Sequence, residues 1–136
     1  MSAPRTRAPR RPRSRAARHL LGATLMILVG AFLPWVYTGA GNFVGVRGAG
    51  LWTMYAAFLG LAGVIVRSPR VVAVHAAVVA VVATTLPLWQ VLHLVSKVGF
   101  AGWMPGVGLV LTFGGGVLAG FAAVTLWREA QAQQQT

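Results

Sequence analysis

Four stretches of this chain, residues 20–37, 49–66, 71–94 and 106–127, contain no Lys, Arg, Asp or Glu. An eighteen-residue stretch such as 20–37 rises about 27 Å as a helix, close to the thickness of a hydrocarbon core. With 57% hydrophobic and 10% charged residues, too little polar material remains to cover a water-soluble globule. The expected fold class is therefore an all-α membrane protein. Its four transmembrane helices, about 20–37, 49–66, 71–94 and 106–127, are expected as two outward-pointing helical hairpins.

The breaks between these stretches carry their own chemistry. Pro34 falls in the expected last turn of the first helix, and its clash with the carbonyl four residues back lands on Gly30, which is small enough to tolerate it. A glycine-rich connection with one cation, Arg47, leads to the second segment. Arg67-Ser68-Pro69-Arg70 forms a tight basic turn, because proline biases Ser68 away from helix. The third segment is the most polar, and Pro87 inside it leaves the Ala83 carbonyl without its helical partner, so a kink is expected there. A second connection with Lys97 precedes the fourth segment. The ends are expected to be disordered: an Arg/Pro-rich tail over 1–18 and a Gln-rich tail over 128–136.

Charge placement orients the layout. The formal net charge is +11, yet seven of the twelve basic residues lie between Arg5 and Arg18. With Arg67, Arg70 and Arg128 they make ten basic residues on one side, against Arg47 and Lys97 on the other. The positive-inside rule then predicts a multi-pass plasma (inner) membrane protein with both termini cytoplasmic. The tail would lie near anionic headgroups of the lipid bilayer. Nucleic acid is not expected as a partner, since no aromatic residue interleaves the arginines to stack on bases. Trp35, Trp52, Trp89 and Trp103 map to the outer interface and Trp127 to the inner one, as interfacial anchors.

Helices in lipid associate by close approach over small residues. Gly60 in the second segment and Gly116 with Gly120 in the fourth are the helix-packing candidates, for the bundle itself or for a homo-oligomer or larger membrane complex. Leu33-Pro34-Trp35 is echoed by Leu86-Pro87-Leu88-Trp89, which raises a parallel internal repeat.

Catalytic chemistry is sparse. Glu129 is the only side-chain carboxylate and there is no cysteine, so paired carboxylates, Ser-His-Asp triads, thiolate nucleophiles and thiolate metal sites are excluded. No cofactor or metal is expected and the chain is read as a non-enzyme. Thr84, Thr85, Gln90 and His93 form the candidate polar intramembrane site, with Gln90 and His93 three residues apart on one helix face.

The Phe32-Leu33-Pro34-Trp35 end of the first segment, Gly48-Ala49-Gly50-Leu51-Trp52, and Pro105-Gly106-Val107-Gly108-Leu109 resemble the motifs of small four-helix membrane proteins of unknown function common in high-GC actinobacteria. The resemblance covers about residues 20–127 and implies a plasma-membrane location with no assigned activity. The expected function is a structural or accessory component assembling with other membrane proteins. The alternative is a small oligomeric channel or exporter, lined by Thr84, Thr85 and Gln90.

Overall fold

The computed structural model describes residues 14–135. Most of them lie in four helices: α1 (Arg15–Phe32), α2 (Gly50–Ile65), α3 (Pro69–Val98) and α4 (Val107–Ala132). Three of these, α1, α3 and α4, are long and apolar enough to cross a membrane. The fourth, α2, is equally apolar in character but only 16 residues long, about 24 Å at helical rise.

The expected all-α architecture needs a correction, because the chain also builds a small sheet. Strand β1 (Pro34–Thr38) lies between β2 (Gly41–Val44) and β3 (Trp103–Pro105), antiparallel to both. Pro34 is the cause. It cannot donate a helical hydrogen bond and it holds Leu33 extended (φ −83°, ψ 161°), so α1 stops at Phe32 and the next residues enter a strand instead of a last helical turn. Pairing shifts register between Pro34 and Val36, leaving Trp35 as an extra residue in a bulge that turns its side chain inward. A Gly45–Arg47 3-10 turn then leads to α2.

The bounds of three helices differ further. α1 begins at Arg15, inside the expected tail, because the Ser14 hydroxyl accepts the Ala17 amide (3.2 Å) and caps the helix. Ala16 and Leu20 are buried there, one turn apart. The rest of the Arg/Pro-rich tail, residues 1–13, lies outside the described residues. At the other end α4 runs on through Arg128 and Glu129 to Ala132, a stretch of good helix formers anchored by buried Leu126 and Ala130. α3 is longer than expected at both ends, from Pro69 at its first position to Val98.

Each helix packs on its neighbours in sequence and α4 closes against α1, while α1 and α3 barely meet. Antiparallel neighbours follow from the contacts: Gly60 of α2 lies against Thr24 of α1 and Val79 of α3, Gly63 against His75, Gly116 of α4 against Ala83, and Gly115 against Ala23 and Ile27. The connections α1–α2 and α3–α4 both enter the sheet and so share one end of the bundle. Alanine, glycine and threonine fill much of the core, with Leu20, Ile27 and Val79 as its largest wholly buried apolar chains.

Glycine is required where backbones meet. A methyl group on Gly116 would come within 2.8 Å of the Ala83 carbonyl carbon and 3.0 Å of its oxygen. That carbonyl is the one Pro87 leaves without a helical donor, so the bare backbone of α4 covers it. Gly60 is equally tight, its absent methyl occupied by the Thr24 methyl, whereas a methyl on Gly120 would meet Ala80 at an ordinary 3.7 Å. Of the three expected packing glycines, Gly60 and Gly116 leave no room for a methyl group, as is also true of Gly30, Gly63, Gly108 and Gly115, whereas Gly120 has room for one. The Leu-Pro-Trp echo does not repeat in conformation: Pro34 opens a strand, and Pro87 is buried within α3.

Candidate functional site

The sheet end is built around Trp35, which is 3% exposed. Its indole Nε1–H donates to the Gly30 carbonyl at 3.0 Å. This is the carbonyl that a helical residue at position 34 would have satisfied, so the indole replaces the bond that Pro34 forfeits. Three glycines from two segments make room for it. Gly45 lies directly on the indole, Gly106 on the Pro34 carbonyl, and Gly108 on the carbonyls of Gly30 and Leu33. The Gly106 amide donates to the Trp35 carbonyl at 2.7 Å, tying the start of α4 to β1. Gly50 packs on Gly45 so closely that a methyl there would fall 2.5 Å from its carbonyl carbon. The motifs at 48–52 and 105–109 thus supply Gly50, Gly106 and Gly108 of this junction, and Gly45 precedes the first of them.

Beside the junction lies an open pocket of about 300 Å³. The sheet contributes Trp35, Val36 and Phe43, the turn before α2 contributes Gly45, Arg47 and Gly48, and α3 contributes Gln90 and Leu94. Thr38 also lines it, but its hydroxyl is engaged, donating to the Gly41 carbonyl (2.8 Å) and accepting from the Ala40 amide (3.3 Å). The side chains of Arg47 and Gln90 make no hydrogen bond or ion pair among the described residues. Ala49, the N-cap residue of α2, makes no side-chain cap bond, and the helix's positive end shares the pocket wall with Arg47.

The four residues of the expected polar site do not converge. The Thr84 hydroxyl donates to the Ala80 carbonyl (2.7 Å) and that of Thr85 to the Val81 carbonyl, so both bend back onto their own helix. Gln90 faces the pocket. His93 is exposed and stacks on Trp89, with ring centroids 5.1 Å apart and planes at 16°. The core threonines Thr24, Thr53 and Thr112 likewise donate to carbonyls three or four residues back. His75 Nδ1–H donates to the Val71 carbonyl at 2.7 Å. No group of three His, Cys, Asp or Glu comes together among the described residues.

The tryptophans also separate. Trp52, edge-on to Tyr55 at 6.2 Å, is exposed, as are Trp89 and Trp127. Trp103 is half-buried and donates to the Gly99 carbonyl at 2.9 Å. Trp35 stands apart as an interior residue. Arg47 and Phe43 were not among the expected site residues. The signal for Arg47 was present, since it is the only charge between residues 19 and 66. Compared with protein-family models, curated proteins and solved structures, the chain gives no match.

Proposed function

We propose that this is a multi-pass plasma-membrane protein with both termini cytoplasmic, acting without catalysis as an accessory component that assembles with other membrane proteins. In this reading α2 spans together with the three longer helices. The bundle then consists of two helical hairpins directed outward, with the sheet on the outer face, as the ten-to-two distribution of basic residues favours.

The observation that carries the reading is the crown of the sheet end. Phe43, Phe100 and Met104 are all exposed there, beyond the helix ends, and β2 and β3 each leave one edge unpaired. Exposed apolar groups beside an open strand edge are features of interaction surfaces. The glycine seams are less suited to partners, since Gly60, Gly115 and Gly116 are covered by this chain's own helices. The channel alternative draws less support, because the Thr84 and Thr85 hydroxyls are taken up by their own helix and do not line a path with Gln90.

Photo-crosslinking in native membranes tests the assembly. A photoreactive phenylalanine analogue at Phe43 or Phe100 is expected to give a discrete adduct, either with a second copy or with another membrane protein. The same group at Val74 of α3, an exposed site away from the crown, is expected to give none. Recovery of monomer alone from both crown positions would overturn the proposal.

A further inference from the structure

We infer that the pocket beside Trp35 binds the phosphate of an anionic phospholipid headgroup, with Arg47 as the charge partner and Gln90 as a second polar contact. The inference rests only on the reading that the helices span a bilayer, and not on assembly with other proteins.

Charge gives the first argument. Arg47 has no ion-pair partner among the described residues, and the chain's single carboxylate, Glu129, lies near the C-terminal end of α4, at the opposite end from the sheet. The guanidinium also sits just before the start of α2, where the helix's own partial charge is positive. Two like fields at one wall are relieved by an anion, and this protein has none to offer there. Phosphate suits the fork of the guanidinium.

Shape and polarity give the second. The pocket holds about 300 Å³, room for a headgroup rather than a whole lipid. Gln90 projects from α3 opposite the Arg47 turn, with an unengaged carboxamide that can both donate and accept, as phosphate and ester or glycerol oxygens require. The remaining walls are apolar, from Trp35, Val36, Phe43 and Leu94. A small hydrated anion would meet these walls at a loss, whereas an amphiphile places its acyl side against them. The exposed Trp52 and Trp89, on the helices that flank the pocket, suit the headgroup level where such a lipid lies.

Native mass spectrometry of the full chain, released from detergent after equilibration with equal amounts of phosphatidylglycerol and phosphatidylcholine, tests the site. One phosphatidylglycerol per chain is expected to be retained about tenfold in preference to phosphatidylcholine, whose choline cation would sit beside Arg47 and the positive end of α2 and offset the gain from the phosphate both lipids share. R47Q is expected to abolish the preference and Q90L to reduce it, while K97Q and R70Q leave it unchanged. Arg47 is exposed, so R47Q is expected to keep the wild-type far-UV circular dichroism; a loss of helix is resolved by R47K, which keeps the charge and is expected to retain a reduced preference. Equal retention of the two lipids by the wild type, or an unchanged preference in R47Q, would overturn the inference. Displacement of phosphatidylglycerol by millimolar inorganic phosphate would overturn the choice of lipid and assign the site to the free anion. None of these outcomes depends on whether crosslinks form at the crown.

Discussion

Replacing Trp35 by phenylalanine isolates the device that turns the chain from helix to sheet. The substitution keeps an aromatic ring in a buried site and removes the indole donor, the shorter of the two on the Gly30 carbonyl, at 3.0 Å. Pro34 cannot supply another, and the only amide left on that oxygen is Leu33 at 3.3 Å, at the weak end of hydrogen-bond geometry. A buried carbonyl left so poorly served costs about 1–3 kcal/mol. Shrinking the indole also opens space against Gly45, a fraction of a full Trp-to-Ala loss and about 1 kcal/mol here. The sum, about 2–4 kcal/mol, is a large share of a small protein's stability. Titrating mixed micelles with dodecyl sulfate and following helix content by circular dichroism measures it. Trp52→Phe is the control: at 65% exposed, it is expected to change stability by no more than about 0.5 kcal/mol. If the two variants unfold alike, Trp35 is not the keystone of the sheet end.

The packing glycines make a matched set. Gly60→Ala places a methyl where the Thr24 methyl already sits and is expected to cost about 1–3 kcal/mol, and Thr24→Ser, which removes that methyl and keeps the hydroxyl, should restore most of the loss. Gly120→Ala meets only Ala80 at 3.7 Å and should be neutral or stabilising by up to about 1 kcal/mol; a loss as large as that of Gly60→Ala would refute the assignment of seams. Gly99→Ala, at φ 66°, should cost about 1–2 kcal/mol by strain at the end of α3, and an unchanged unfolding midpoint would contradict it. For topology, the chain's lack of cysteine allows single-cysteine variants. A membrane-impermeant maleimide on intact cells should label Gly39→Cys in the β1–β2 turn and reach Ser68→Cys only after permeabilisation, and the reverse pattern would overturn the orientation.

The helices were legible because their signal is regional: runs without charge, bounded by Pro34, Arg67 to Arg70 and a glycine-rich break, admit few other structures in lipid. Gly116 was legible by small-residue spacing alone, though its reason was not, since nothing local says that the Ala83 carbonyl freed by Pro87 will lie across from it. The sheet was hidden for a different cause. Its strands are three to five residues long, β1 and β3 come from segments more than 60 residues apart, and none carries an alternation that separates it from a loop. In sequence Trp35 reads as an interfacial ring like the other tryptophans, and only the bulge sends it inward. Arg47 reads in sequence only as a topology charge, because its lack of a side-chain partner is a fact of three dimensions.

Trp35 and Gly45 each serve two structures at once. They hold the end of α1 to the start of α2, and they wall the pocket that Arg47 and Gln90 flank. A ligand that fills the pocket touches groups ordered only when β1, the 3-10 turn and α3 are in place, so binding and the stability of the sheet end are linked. Ligand at a hundred times its dissociation constant stabilises such a site by about 2.7 kcal/mol, comparable to the cost worked out for Trp35→Phe. Phosphatidylglycerol should therefore offset much of the defect of Trp35→Phe if the phenyl ring still walls the pocket, and none of the defect of Gly60→Ala with Arg47→Gln. Equal rescue of both variants would mean that the lipid acts on the micelle rather than at the pocket.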